Sequence, residues 1–306
     1  MTTPALKKVV NKVVIFGVGL IGGSFARTLK HAGAVGTVVG MGRSPASLAR
    51  ALELGIIDEI GGDMADALHD ADLVLVAAPV AQTGAILASI APHLQPGTIV
   101  TDAGSTKSDV VAAARAALGG KVAQFVPGHP IAGRETNGPD AAIIDLYQGK
   151  KVVLTPLAEN VADDVERVAA AWRACGAILH TLSPEEHDKV FAAVSHLPHL
   201  LAFALVDDIA NKPHAGLLFQ YAASGFRDFT RIAGSSPEMW RDISLANQPA
   251  LLHELDAYLA QLTTLRAHLA ANDGAAIEGV YANAQHARQQ WIEAIETAEI
   301  PAAPTR

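Results

Sequence analysis

The chain has 306 residues, half of them hydrophobic, which suits two domains with sizeable cores and excludes a disordered protein. A formal charge of −8 argues against generic binding to nucleic acid or an anionic membrane, so cations for an anionic ligand must be gathered locally. The single cysteine, Cys175, rules out an intrachain disulfide and a cysteine-based metal cluster; it reads as a core filler and fits a cytoplasmic setting.

Lys7, Lys8 and Lys12 followed by the apolar residues 13–26 could pass for a secretory signal. The glycines inside that run have a better account, and no later run is long enough to span a bilayer. A β-branched strand at 13–16 runs into Gly17-Val18-Gly19-Leu20-Ile21-Gly22, with a helix expected from about 20 to 31. In the G-x-G-x-x-G pattern the first glycine allows a tight turn, the second admits a pyrophosphate and the third lets helix pack on strand. Phosphate oxygens would then sit on the free N–H groups of Leu20, Ile21 and Gly22. The alternative is a structural turn beside an empty groove.

The second strand, 37–39, leads into Gly40-Met41-Gly42-Arg43-Ser44. An NAD site usually places a carboxylate here, on the ribose 2′-OH. Glycine stands in its place, and Arg43 and Ser44 supply a guanidinium fork and a hydroxyl suited to a 2′-phosphate. NADP is therefore the expected cofactor, with NAD as the alternative and Arg43 then a solvated loop cation.

Strands at 73–77, 98–101, 124–126, 151–154 and 178–181 alternate with helices at 45–54, 83–90, 107–118 and 161–175. Fully apolar strands between helices predict a parallel sheet covered on both faces. Two segments leave it at the carboxyl edge, where ligands bind in open α/β folds. In the first, Asp102-Ala103-Gly104-Ser105-Thr106-Lys107, Ser105 is either a helix N-cap or a site residue. The second is Gly128-His129-Pro130-Ile131-Ala132-Gly133-Arg134-Glu135. A histidine between glycine and proline in a loop is poorly explained by packing. With an ordinary pKa of about 6.5 it can accept a proton at neutral pH, as hydride removal from an alcohol requires.

Ser183-Pro184-Glu185-Glu186 reads as a helix N-terminus, after which strand signals disappear. Helices are expected at 185–209, 216–223, 237–246, 249–271 and 275–297, which divides the chain into a dinucleotide-binding domain, 1–182, and a helical domain, 183–306. Within the first helix, Ser195 and His199 share a face, while Pro198 removes a donor, frees the Val194 carbonyl and predicts a kink. No carboxylate or cysteine lies close enough in sequence to complete a metal site there. In Gly225-Phe226-Arg227-Asp228-Phe229-Thr230-Arg231-Ile232, Asp228 could orient Arg231, or the two could form a surface ion pair. Leu255, Tyr258, Leu259, Leu262, Leu265 and Leu269 form a stripe for a core or for a two-fold subunit interface.

The glycine loop, Asp-x-Gly-Ser-x-Lys at 102–107, Gly-His-Pro-Ile-Ala-Gly at 128–133, Ser-His-Leu-Pro-His at 195–199 and Gly-Phe-x-Asp-Phe-Thr-Arg-Ile-Ala at 225–233 occur in that order. With them the chain resembles the prephenate/arogenate (cyclohexadienyl) dehydrogenases of tyrosine biosynthesis over nearly its whole length. The resemblance implies an α/β Rossmann-type N-terminal domain and an all-α C-terminal dimerisation domain of the 6-phosphogluconate-dehydrogenase-like kind, hence a homodimer. It implies oxidation of a ring C4 alcohol by hydride transfer to nicotinamide, with loss of the C1 carboxylate as CO₂ and no metal. Carried over by position, His129 would assist deprotonation of the C4 hydroxyl, and Ser105 would hold His129 and the nicotinamide end of the cofactor. Arg231 would clamp the side-chain carboxylate, Ser195 and His199 would line the pocket near the ring, and Glu135 would act at its entrance. The regulatory ACT domain of some relatives is expected to be absent. Two other readings remain: a related NADP-dependent reductase of a small acid, and a non-catalytic NADP-binding sensor.

Overall fold

The computed structural model describes residues 8–134 and 136–299. Strands β1 (Val10–Phe16), β2 (Val35–Met41), β3 (Glu59–Ile60), β4 (Leu73–Val76), β5 (Ile99–Asp102) and β6 (Phe125–Val126) form a six-stranded parallel sheet, in the order β3-β2-β1-β4-β5-β6. Helices α1 (Leu20–His31), α2 (Pro45–Glu53), α3 (Met64–Leu68), α4 (Val80–Ile90) and α5 (Ser108–Leu118) run between them. Successive residues of β1 enter opposite cores. Val13 and Ile15 pack with Phe25, Leu29 and Trp172, whereas Val14 and Phe16 pack with Leu87, Ile90 and Leu118. That is the two-sided burial a parallel sheet demands. The apolar run that resembled a signal is therefore the central strand and the first helix.

The single parallel sheet expected from the strand pattern needs correction. β7 (Gly128–Pro130), β8 (Lys151–Leu154) and, after α6 (Ala162–Ala174), β9 (Ile178–Thr181) form a separate three-stranded sheet. In it β7 pairs antiparallel with β8, and β8 parallel with β9. Pro127 has no N–H to continue the ladder after β6, and the chain changes sheets there. His129 thus sits on a short strand rather than in a loop, paired with Val153.

Helices α7 (Pro184–Phe191), α8 (Leu197–Ala210), α9 (Ala215–Gln220), α10 (Ser224–Thr230), α11 (Pro237–Ala246), α12 (Gln248–Ala270) and α13 (Gly274–Glu299) complete the chain. Ser183 closes the predicted N-terminus as a capping box with Glu186. Between α7 and α8, residues Ala192–His196 form a π-turn in which the Leu197 N–H reaches back to the Ala192 carbonyl. The wider turn accommodates Pro198 without ending the helix. Residues Pro184–Ala210 therefore run as one 27-residue helix whose mean hydropathy reaches 1.6. By length and composition it could cross a bilayer, contrary to the sequence expectation that no later run is long enough. It carries Asp188 against the N-terminus of α5.

Packing separates Met1–Leu251 from Leu252–Arg306, so the first compact unit includes α7 to α11 as well as both sheets. In the second unit, Leu259 (50%), Leu269 (64%), Tyr281 (60%) and Trp291 (59%) are exposed on the single chain. The leucine stripe does not face a core of its own.

One buried ion pair ties the two sheets together. Asp102, the last residue of β5, pairs with Lys107, and both side chains are fully buried. Asp102 also accepts from the Gly128 N–H at 3.0 Å, while Lys107 Nζ donates to the Gly128 carbonyl at 2.8 Å. Both backbone groups of the residue before His129 are thereby fixed. Removing one partner strands a buried charge, so Lys107→Met should lower unfolding free energy by ~3–5 kcal/mol. Urea unfolding tests this; a loss under ~1 kcal/mol would show that the pair carries no such weight.

Candidate active site

The glycine loop makes the shape that its sequence predicts. Gly17 has φ +96°, and a Cβ there would meet the Ala77 carbonyl oxygen at 2.5 Å. A Cβ on Gly22 would lie 2.2 Å from the Gly17 carbonyl oxygen, so that glycine permits the close approach of helix to turn. Around Gly19 a Cβ would meet nothing within 4 Å, leaving open space in front of the first turn of α1. That turn has no side-chain cap and no acid, so the amides of Leu20, Ile21 and Gly22 face the space unneutralised. This cradle fits a pyrophosphate.

At the end of β2, Gly42, Arg43 and Ser44 are all exposed. Ser44 caps α2 through the Ser47 N–H at 3.2 Å. A Cβ on Gly42 would make only ordinary contact with Leu48, at 3.7 Å. The backbone does not require glycine there, so nothing steric keeps an acid out.

The second half of the site gathers on α5, β7 and the long helix. His129, 9% exposed, places Nδ1 at 2.8 Å from His187 Nε2, and both rings pack against Phe191. His187 Nδ1 lies 2.9 Å from Asp188 Oδ1. Asp188 in turn accepts the Lys107 and Ser108 N–H groups, each at 2.8 Å, at the start of α5. Asn247 donates to the Asp188 carbonyl at 2.7 Å and lies 3.1 Å from His196 Nδ1. Burial, then the charges of His187, Lys107 and His196, hold His129 well below its ordinary pKa. Burial likewise holds His196 at about 4. These imidazoles are neutral at physiological pH.

Ser105 is half-buried in the turn before α5. It is not the helix N-cap, because the carboxylate of Asp188 caps α5 from another helix. The hydrogen bond to His129 expected of Ser105 is made by His187 instead. His199 stacks on Trp240 with ring centroids 3.5 Å apart and lies 2.9 Å from the Ser195 carbonyl through Nδ1. Burial lowers the pKa of His199, and the charge of Arg231 lowers it further, so Arg231 stands in the same neighbourhood. Arg231 opens a short turn that packs on α8. Asp228 pairs with Arg227 at 3.6 Å. Glu135 lies outside the described residues. A cleft of about 270 Å³ opens beside Trp240, lined also by Leu200, Phe203 and Arg241, and does not include His129. Among the described residues no cluster of histidine, cysteine, aspartate or glutamate could hold a metal ion.

Sequence reasoning missed His187, Asp188 and Asn247. His187 and Asp188 are sequence neighbours inside a helical pattern, with no spacing that marks them. Their meaning comes from packing against residues 58 to 81 positions away.

The arrangement offers a nucleotide cradle, a buried neutral imidazole on β7 beside the end of β5, and a cation near an aromatic-lined pocket. The chain matches the family described as "Prephenate dehydrogenase, nucleotide-binding domain" over residues 25–181, and "Prephenate dehydrogenase, dimerization domain" over 183–280. It is 38% identical to a cyclohexadienyl dehydrogenase of Zymomonas mobilis, over 90% of this chain and 94% of that protein. It is 35% identical to a prephenate dehydrogenase of Bacillus subtilis, over 85% and 71% of the two chains. The crystal structure of prephenate dehydrogenase from Aquifex aeolicus in complex with hydroxyphenyl propionate and NAD+ matches with a TM-score of 0.86 and 37% identity, covering 92% of this chain and 98% of that one. The chain belongs to the prephenate dehydrogenase family, NAD(P)-dependent oxidoreductases of tyrosine biosynthesis.

Proposed function

We propose that this chain oxidatively decarboxylates prephenate or arogenate with NADP as the preferred acceptor and His129 as the base. The observation that carries the reading is His129 itself: buried, neutral, held through Nδ1, with Nε2 making no hydrogen bond among the described residues. A substrate hydroxyl placed at Nε2 can give up its proton there as the C4 oxygen becomes a carbonyl. The nicotinamide supplies the hydride acceptor. Loss of the C1 carboxylate as CO₂ then aromatises the ring and makes the step strongly downhill.

Arg231 holds the side-chain carboxylate, as a net-acidic protein must do for an anionic substrate. Ser195, His199 and Trp240 line the ring pocket, Glu135 acts at its entrance, and Ser105 faces the nicotinamide end of the cofactor. The phenol and propionate of the Aquifex ligand, hydroxyphenyl propionate, have the two features that His129 and Arg231 would recognise. Residues 1–182 serve the cofactor, and 183–306 serve substrate and dimerisation. A homodimer is supported by the dimerization-domain match and by the exposed apolar residues of α12 and α13, which a second copy would cover.

His129→Asn should cut kcat at least ~10²-fold, the scale of general-base loss, with substrate binding largely kept. A base must be neutral to act, and burial lowers the pKa of His129. In the wild-type enzyme the acid limb of kcat/KM should therefore lie well below about 6.5, with no loss of rate between pH 8 and 6.5 from this group. Unchanged turnover in the variant would rule out the role. Arg231→Ala should mainly raise KM, by ~10–150-fold, the equivalent of a charged hydrogen bond. A fall confined to kcat would place Arg231 elsewhere in the mechanism.

Cofactor choice is tested by steady-state kinetics with prephenate and arogenate, each with NAD and NADP. NADP should be favoured by ~10-fold or more in kcat/KM, and Gly42→Asp should reverse the order by repelling the 2′-phosphate and accepting the ribose hydroxyls. Equal or better efficiency with NAD in the wild type would sink the NADP reading.

A further inference from the structure

A histidine works as a base through one ring nitrogen, and the hydrogen bond at the other nitrogen decides which. Here the assignment can be read from a fixed end. Two backbone amides at the N-terminus of α5 hold the Asp188 carboxylate. Burial raises its pKa, but the hydrogen bonds from His187, Ser108 and Lys107 outweigh burial and keep it below the ordinary value. Asp188 can then only accept, so His187 Nδ1 carries a proton and its Nε2 carries a lone pair. Since His187 Nε2 can only accept, His129 Nδ1 must donate to it. The lone pair of His129 is left on Nε2.

We propose that His187 and Asp188 complete His129 as a two-imidazole relay, setting its tautomer and taking up the proton that it displaces. The inference rests on the reading of His129 as the base. As His129 Nε2 takes the hydroxyl proton, its Nδ1 proton passes to His187 Nε2. His129 ends neutral with its proton on Nε2, and His187 ends as an imidazolium. One proton has crossed each of two hydrogen bonds, and the positive charge has moved one ring away from the substrate.

The surrounding charges favour that direction. The ring of His129 faces His187, Lys107 and His196, none of which welcomes a cation. His187 also faces Lys107, but it has two carboxylates, Asp188 beside it and Asp102 behind. Burial depresses the pKa of both rings, but only at His187 do neighbouring carboxylates, Asp188 and Asp102, oppose it. The pair is a positioning device, since neither residue touches the reacting atoms. A capping role for Asp188 alone would not require a histidine bridging it to His129 at 2.8 Å.

The test uses ¹⁵N-histidine NMR of the full-length cofactor-free protein together with steady-state kinetics. Wild-type His129 should show a protonated Nδ1 and a bare Nε2 at neutral pH. His187→Leu, which can neither accept nor store the proton, should lower kcat ~10²-fold with KM within ~3-fold and release the tautomer of His129. His187→Gln can accept the Nδ1 proton through its amide oxygen but cannot store it; it should restore the tautomer and about a tenfold share of kcat. Asp188→Asn should move the acid limb of kcat/KM to lower pH, because a negative charge that favours the protonated relay is gone. If that variant fails to fold for want of the α5 cap, the two His187 variants carry the test, with thermal melting and cofactor affinity as folding controls. A wild-type His129 protonated on Nε2, or a folded His187→Leu enzyme with kcat within twofold of wild type, would overturn the proposal. An inactive His129→Asn beside a fully active His187→Leu would sink the relay alone, whereas an active His129→Asn would sink the base assignment beneath it.

Discussion

The N-terminus of α5 is the point on which the rest of the site depends. Three buried charges meet there: Asp102 from the end of β5, Lys107 from the turn, and Asp188 from the long helix. Removing such groups from water costs several kcal/mol each, and apolar residues of similar volume are often at least as stable. What the charges supply is position. Asp102 and Lys107 fix both backbone groups of Gly128, and Asp188 fixes the ring that holds His129. The free amides of the helix stabilise the Asp188 carboxylate, so the sheet, the helix end and the His129 ring are held by one connected set of bonds.

The same helix terminus links the two functional halves. The glycine turn is built on β1 and α1, and His129, the proposed base, on β7, which belongs to the other sheet. Neither has a covalent reason to face the other. The turn between β5 and α5 supplies that relation, since Asp102 ends a strand of the first sheet and bonds the first residue of β7. Ser105 lies within this turn. Its role in the proposed mechanism is therefore at the cofactor, while the ring of His129 is held by His187.

Much of this was legible in the sequence, for identifiable reasons. The glycine fingerprint is a local steric code: positive φ at Gly17 and the close approach at Gly22 follow from the residue type alone. The capping box at Ser183 is equally local. Pro198 announced a disturbance but not its form, because whether a helix kinks or widens into a π-turn depends on what packs around it. The second sheet was missed because an apolar run encodes burial, not which neighbour it pairs with or in which direction. His187 and Asp188 were missed for a related reason. A residue that caps a helix 80 positions away leaves no period in the sequence, whereas Ser105, placed just before that helix, is the local candidate for either cap or site residue.

The charge balance of the chain gives the relay its physical sense. An acidic protein that binds an anionic substrate benefits from a cation at the carboxylate, but not from a positive charge left beside the reacting carbon. In the proposed reading Arg231 supplies the first, from the helical segment that packs on α8. A lone buried imidazole would create the second each time it took a proton. Backing that imidazole with another ring, and that ring with a carboxylate anchored on two amides, carries the charge to the one place in the site already arranged for it. The buried carboxylate at α5 then serves twice, as a helix cap in the resting enzyme and as the counter-charge during turnover.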